Sequence, residues 1–246
     1  MGTDADRMIE ELDLSMFGRQ DFVNIVLQRS DVLGYTREAN RLVRSWEAGD
    51  AAPLEAAVDA DGDRYAREAA RLIRDEFVAL RGLMQRLAPA RIADIGCGYA
   101  IFDLFAYRAL DCDLLLIDIE ETESRHFGFA NEGAGYSSLA RATEFLVANG
   151  VPEARIRTWN PNREEAPGGP PIDIAVSFLS CGFHYPVDMY LPFFRYAVAP
   201  RGAVILDLRG SRADRIIATL ETLGKVRVLR RGGGVRRVLL KKRDAE

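Results

Sequence analysis

The amino-acid sequence predicts an α/β protein with a doubly wound, mostly parallel sheet and a C-terminal antiparallel hairpin, preceded by a helical module. Three observations support this fold class. The N-terminal third shows helical periodicity only, the middle of the chain alternates β-rich runs with helical stretches, and two final β-rich runs flank a glycine-rich turn. Such alternation is typical of βαβ units, whose parallel strands are covered by helices on both faces.

Helical periodicity organises the N-terminal module, residues 1–89. Thr36 has the residue type of an N-cap, and apolar residues follow it at steps of three and four as far as Trp46. The same spacing continues from Tyr65 to Leu87, where Pro89 is expected to end a long amphipathic helix. We therefore divide the chain into a helical extension or lid, residues 1–89, and a ligand-binding domain, residues 90–246.

Strands and helices alternate in the second part of the chain. The predicted parallel strands are Arg91–Ile95, Asp113–Asp118, Arg155–Trp159, Ile172–Leu179 and Ala203–Leu208. The predicted helices between them are Ile101–Ala109, Ser138–Asn149, Val187–Val198 and Arg212–Leu223. The terminal hairpin is predicted from Val226–Leu229 and Val235–Leu240, which are joined by Arg230–Gly234.

The composition is that of an ordinary globular protein, with 246 residues, 48% hydrophobic and 28% charged residues, and a net charge of −4. It excludes a disordered, collagen-like or disulfide-scaffold chain. No uncharged apolar run of about 18 residues occurs and the first residues are acidic, so neither a membrane span nor a secretion signal is predicted. The three cysteines and two histidines lack metal-type spacing. We therefore expect free thiols, no required metal and a cytoplasmic location.

A glycine-rich turn follows the first predicted strand. It runs from Ala93 to Ala100, reads ADIGCGYA, and lies where the strand meets its helix. Glycines let the backbone approach a ligand closely, and a helix N-terminus presents unpaired N–H groups, so a small polar ligand is expected here. The dinucleotide fingerprint G-x-G-x-x-G requires Gly or Ala where Ile101 stands, so pyrophosphate binding fits this turn less well.

Asp94, Gly96 and Gly98 resemble motif I of the class I S-adenosylmethionine-dependent methyltransferases, D/E-x-G-x-G-x-G, with Ala100 in place of the last glycine. The resemblance implies a Rossmann-like fold and S-adenosyl-L-methionine as the cofactor. It also implies that the cofactor-binding loop contains Asp94, Gly96, Cys97 and Gly98.

The resemblance extends to the ends of later strands. Asp118 ends the second strand, about twenty residues after the glycine loop, where the family keeps an acidic residue for the two ribose hydroxyls. Ile119 would then contact the adenine face. Asn160 falls where the family contacts adenine, although Asn-Pro is equally a turn sequence, and both interpretations remain open. Ser177, in the fourth strand, completes the predicted cofactor-binding set.

Both histidines are predicted at the carboxyl ends of strands, where open α/β sheets bind ligands. His126 follows the second strand in a glycine-containing loop, and His184 follows the fourth. Methyl transfer to a hydroxyl needs alignment, exclusion of water and removal of a proton, for which a neutral imidazole is suited. His184 is the preferred base, with Asp207 as the alternative, while Tyr185 would orient the acceptor. A purely structural role remains the alternative for each histidine.

The leading functional hypothesis is methyl transfer from S-adenosylmethionine to a small-molecule acceptor, with oxygen methylation of a sugar or secondary metabolite as its specific form. Nucleic acid is a minor alternative, because the chain is acidic and lacks the N/D-P-P-Y/F motif of many amino-methyltransferases. Two further alternatives are an NAD-dependent oxidoreductase and a methyltransferase-like binding or assembly protein without turnover. A homodimer formed through the N-terminal helices is the alternative to a lid.

Overall fold

The computed structural model describes residues 4–120, 137–165 and 168–244. The helices in these ranges are α1 (Asp4–Glu10), α2 (Arg19–Gln28), α3 (Arg37–Glu47), α4 (Ala52–Leu87), α5 (Ile101–Leu110), α6 (Leu139–Ala148), α7 (Leu191–Tyr196) and α8 (Ala213–Glu221). The strands in the same ranges are β1 (Arg91–Ile95), β2 (Asp113–Ile117), β3 (Ile156–Trp159), β4 (Ile172–Ser177), β5 (Val198–Arg209), β6 (Gly224–Gly232) and β7 (Val235–Lys242).

The strands form one sheet in the order β3-β2-β1-β4-β5-β7-β6. The first five strands in that order are parallel, and β7 pairs antiparallel with both β5 and β6. The predicted fold class is therefore confirmed, including the reversed C-terminal hairpin. Ile95 pairs with Ile117, so the loops after β1 and β2 leave the sheet at the same edge.

Some predicted boundaries differ from the structure. The predicted helix at Val187–Val198 is a 3₁₀ turn followed by α7, because Pro192 lies in the first turn of α7, where its missing N–H is tolerated. Strand β4 ends at Ser177, since the chain turns away at Leu179, whose φ is +58°. The hairpin strands extend further than predicted, so the turn itself is only Gly233-Gly234.

The N-terminal helices share one hydrophobic core with a face of the sheet. Leu27 and Met84 are fully buried in the same cluster as Ile92 of β1. Phe77 of α4 packs on Phe102 and Phe105 of α5, with ring centroids 5.7 and 6.5 Å apart. The domain boundary at residue 89 therefore stays a prediction, because hydrophobic packing is continuous across it.

Several local predictions can be compared with the structure. The Thr36 side chain accepts a hydrogen bond from the backbone N–H of Ala39, at 3.0 Å, and so caps α3 as expected. Helix α4 runs from Ala52 to Leu87 with a kink at Asp61, upstream of the start that periodicity indicated. No helix in the described ranges combines the length and low polarity needed to cross a bilayer. The three cysteines are buried free thiols.

Candidate active site

The glycine loop connects β1 to α5 at the carboxyl edge of the sheet. Gly96 and Gly98 have φ values of +75° and +57°, in the left-handed region that favours glycine. The backbone N–H groups of Gly96 and Cys97 both donate to the carbonyl of Ile117, at 2.7 and 3.2 Å. Ala100 also has a positive φ, +57°, which explains why the resembling motif carries glycine at that position. The loop thus turns sharply above the end of β2, to which it is held by hydrogen bonds.

Asp118 joins the end of β2 to this loop. One carboxylate oxygen accepts a hydrogen bond from Gly98 N–H at 3.0 Å, and the other accepts from Glu120 N–H at 2.8 Å. The side chain is buried, and burial raises its pKa, although the two backbone N–H groups oppose that effect. Each oxygen retains a further lone pair, so the carboxylate can hold the loop and still accept from a ligand.

A cavity lies above the glycine loop and encloses about 1090 Å³ of empty space, counted with its open mouth. Asp94, Gly96, Gly98 and Asp118 lie in one wall, together with Cys97, Ile119, His184 and Tyr185. The structure thus brings eight of the predicted site residues to one cavity.

The N-terminal module forms another wall of this cavity. Gln28 lies so close to the loop that a Cβ added at Gly98 would approach its side-chain oxygen to 3.0 Å. Arg29 pairs with Glu76 at 3.2 Å and with Asp31 at 3.5 Å. Burial alone would lower the pKa of Arg29, but the two carboxylates overcome this and raise it. Among the described lining residues, Arg29 is the only permanent cation.

Tyr99 fixes the module to the glycine loop. Its hydroxyl donates to Asp21 of α2 at 2.9 Å and accepts from the side-chain amide of Asn24 at 3.1 Å. Tyr99 is buried, and its ring packs edge-on against Phe17, with centroids 5.1 Å apart. The helices therefore hold a defined position over the cavity.

Burial dominates the electrostatics of the loop. It raises the pKa of Asp94 well above its usual range, and the neighbouring Asp103 carboxyl adds to the effect. Burial likewise raises the pKa of Cys97, with a further contribution from Asp118, so this thiol stays protonated. The loop side chains therefore provide a carboxyl group and an unreactive thiol.

A tight turn after β4 positions the predicted catalytic residues. The carbonyl of Ser180 accepts hydrogen bonds from the backbone N–H groups of Phe183, His184 and Tyr185, at 2.9–3.1 Å. The Tyr185 hydroxyl is buried and has no hydrogen-bond partner among the described residues. Burial raises the pKa of Tyr185 to about 12, so the phenol keeps its proton and can donate to a ligand.

Two residues predicted to contact the cofactor, Ser177 and Asn160, form hydrogen bonds to other groups of the protein. Ser177 donates to the carbonyl of Ile95 at 2.6 Å, accepts from Cys181 N–H at 2.9 Å, and is fully buried. Asn160 donates to the Glu120 carboxylate at 2.9 Å and to the carbonyl of Ile119 at 3.3 Å. Neither is among the described residues that line the cavity. Both therefore support neighbouring backbone, and their direct contact with a cofactor stays a prediction.

Two further residues are predicted from the sequence to take part in the reaction, His126 and Asp207. His126 lies outside the described residues. Asp207, the alternative base, is buried and holds Arg237 through two hydrogen bonds of 2.7 and 2.6 Å. Both carboxylate oxygens of Asp207 are thus engaged with Arg237, and Asp207 is not among the described residues that line the cavity.

Sequence reasoning missed the cavity residues Gln28, Arg29 and Glu76 of the helical module, and Phe178 and Ser180 after β4. No short motif marks them, because tertiary packing alone brings α2 and α4 to the glycine loop. No cluster of three or more potential metal ligands occurs in residues 4–120, 137–165 and 168–244.

Comparison with known proteins gives structural matches only: no family model and no curated protein sequence matches the chain. A candidate O-methyltransferase from Nostoc punctiforme PCC 73102 is 15% identical with a TM-score of 0.53, over 90% of this chain and 72% of that one. The S-adenosylmethionine-dependent methyltransferase SibL in its apo form is 16% identical with a TM-score of 0.51, over 89% and 73%. An O-methyltransferase family protein from Burkholderia thailandensis is 13% identical with a TM-score of 0.50, over 89% and 68%.

These likenesses, at such low identity, concern the fold. The chain therefore has the fold of the class I S-adenosylmethionine-dependent methyltransferases.

Proposed function

We propose that this protein transfers a methyl group from S-adenosylmethionine to an oxygen atom of a small-molecule acceptor, such as a sugar or a secondary metabolite. The observation that carries the proposal is the hydrogen bond between the Asp118 carboxylate and Gly98 N–H, which joins the acidic end of β2 to the glycine loop in one cavity wall. The O-methyltransferase names of two structural neighbours support oxygen as the acceptor atom.

The residues present fit this cofactor. Gly96 and Gly98 line the cavity, and the loop has no room for a side chain at Gly96, because a Cβ there would overlap the Ser180 side chain. Asp118 offers oxygen acceptors suited to ribose hydroxyls, and Ile119 adds an apolar surface beside it. The cavity carboxyl groups suit a cofactor that bears positive charge.

The protein's contribution to the reaction is alignment, exclusion of water and proton removal. Bound S-adenosylmethionine supplies the electrophilic methyl group. His184 accepts the acceptor's hydroxyl proton, and Tyr185 orients the acceptor through its hydroxyl, which no described residue engages. Helices α2 and α4 cover the cavity on the side of Arg29 and Glu76, which favours a small acceptor over a long polymer.

Cofactor identity is tested by calorimetric titration with S-adenosylmethionine, S-adenosylhomocysteine and NAD. Binding of both sulfur nucleosides, followed by transfer of label from methyl-labelled cofactor to a metabolite in an extract, would support the proposal. Tight binding of NAD without a response to either sulfur nucleoside would instead identify an oxidoreductase. Cofactor binding without methyl transfer to any of a broad set of acceptors would favour a binding or assembly protein.

We expect Asp118→Ala to weaken S-adenosylmethionine binding by about 1.5–3 kcal/mol, since hydrogen bonds to a charged group are lost. Calorimetry measures this change. Asp173→Ala is the matched control, because Asp173 also accepts from two backbone N–H groups, those of Ala90 and Arg91, but lies where β4 begins. Equal losses of affinity in the two variants would show that Asp118 acts only through loop stability.

We expect Arg29→Met to lower kcat/KM for the acceptor about 10- to 100-fold, because the variant removes a charged hydrogen-bond donor from the cavity wall. Steady-state kinetics at saturating cofactor measures this effect. The control is Arg41→Met, which breaks an exposed ion pair with Glu38 on α3 and should leave kinetics unchanged. Unchanged kinetics in the Arg29 variant would contradict a role of the helical module in acceptor binding.

A further inference from the structure

Asp103, in the first turn of α5, is a buried carboxyl group that the proposed reaction does not use. Its side chain is fully buried, and neither of its oxygens accepts a hydrogen bond from the described residues. Its polar neighbour is Asp94, whose carboxyl group lines the cavity and lies close enough for a bond between the two acids. Two carboxyl groups can form such a bond only when one of them carries a proton.

The surroundings favour a protonated pair. Burial raises the pKa of Asp103 to about 7, against opposing contributions from Asp94 and from its own backbone. Asp118, at the end of β2, adds negative charge to the pair, as a further cause of the raised pKa of Asp94.

Other titratable groups surround the pair from each neighbouring element. Cys97 in the glycine loop and Cys112 before β2 both have raised pKa values, chiefly because of burial, and both interact with the charge of Asp103. Helix α4 presents Glu76 to the same cavity, the end of α2 presents Arg29, and the turn after β4 presents His184.

We propose that Asp103 is a positioning residue for Asp94: the two carboxyl groups hold one proton between them in the free protein, and binding of the positively charged cofactor expels that proton to solvent. The inference rests on the proposed function. S-Adenosylmethionine carries a sulfonium and an ammonium group against one carboxylate, so it favours the ionised pair. The pair of Asp94 and Asp103 thus carries one negative charge in the free protein and two when the cofactor is bound.

Proton release tests this inference without any measurement of activity. We expect titrations of S-adenosylmethionine in two buffers of different ionisation enthalpy to detect release of a proton fraction near neutral pH. The dissociation constant should fall as pH rises from about 6 to about 8, by about tenfold for each unit by which binding lowers the pair's pKa. S-Adenosylhomocysteine, which lacks the sulfonium charge, should show a smaller dependence.

Asp103→Asn and Asp103→Ala should both lose this component of proton release. Asp214→Asn is the matched control, since Asp214 lies in the first turn of α8 but is exposed, and it should behave as the unmodified protein. Protonation of the cofactor's own amine contributes equally to all variants and cancels in the comparison. The same proton release in unmodified protein and both Asp103 variants would overturn the inference.

Two readouts of the unmodified protein do not depend on the variants folding. A protonated carboxyl group has its own infrared C=O band, which should weaken when S-adenosylmethionine binds, and absence of that band would overturn the inference. The pKa of Asp103 lies above that of an aspartate in the unfolded chain, so the folded protein binds more protons than the unfolded chain. The free energy of unfolding should therefore decrease as pH rises from about 4 to about 7. Failure of both sulfur nucleosides to bind would overturn the proposed function, whereas binding without proton release would overturn only this inference.

Discussion

Gly96→Val should weaken cofactor binding about 30-fold or more while leaving most of the fold in place. Gly96 has a φ of +75°, and this left-handed conformation costs a β-branched residue about 1–3 kcal/mol. A Cβ there would also overlap the Ser180 side chain, and overlap in a packed region costs about 1–3 kcal/mol. The loop can relieve both costs by leaving its binding conformation. Together they amount to roughly 2–6 kcal/mol, which would lower the population of the binding conformation about 30-fold or more. Calorimetric titration with S-adenosylmethionine measures the loss.

Gly150→Val is the control that separates backbone strain from overlap. Gly150 has a φ of +93° in the turn after α6, and a Cβ there would meet no atom within 4 Å. We expect this variant to lose stability in urea denaturation but to bind cofactor normally. Combining Gly96→Ala with Ser180→Gly should recover part of the affinity that Gly96→Ala alone loses. Normal binding by Gly96→Val would refute the assignment of this loop to the cofactor.

The order of strands and helices was predictable because each has a local pattern. β2 is a short apolar run buried on both faces, as expected of a central parallel strand, and the glycine pair marks the end of β1. The errors occur where local pattern and tertiary context disagree. The apolar residues of Val187–Val198 suit a helix, but Val198 belongs to β5, where it pairs with Ile172 of β4.

The candidate site was predictable only on the side formed by strand ends. Asp94, Gly96 and Asp118 converge because parallel strands bring their carboxyl ends to one edge, which sequence order already implies. Arg29 and Glu76 reach the same cavity through the packing of α2 and α4, and no pattern in the sequence encodes that contact. Residue type alone also cannot show that a side chain such as Ser177 is already used by backbone groups.

His184→Ala should reduce kcat about 10²- to 10⁴-fold, the usual scale for loss of a general base, while cofactor affinity changes little. His184 lines the cavity, and the turn at Ser180 fixes its backbone. Since an imidazole base must be neutral to act, kcat of the unmodified protein should rise as pH increases and the imidazole loses its proton, and the variant should lose that rise. Steady-state kinetics with the true acceptor over a range of pH measures both effects.

Two controls make the assignment of His184 specific. Tyr185→Phe removes a hydroxyl that has no hydrogen-bond partner in the described part of the chain, and it should raise the KM for the acceptor more than it lowers kcat, because the tyrosine orients the acceptor. His126→Ala replaces the chain's other histidine and should affect KM at least as strongly as kcat if its loop positions the acceptor. The pH dependence of cofactor affinity should persist in His184→Ala, because it belongs to Asp94 and Asp103. If His184→Ala instead keeps a near-normal kcat and the same pH profile, another group removes the proton, and alignment of the reactants becomes the main source of rate acceleration.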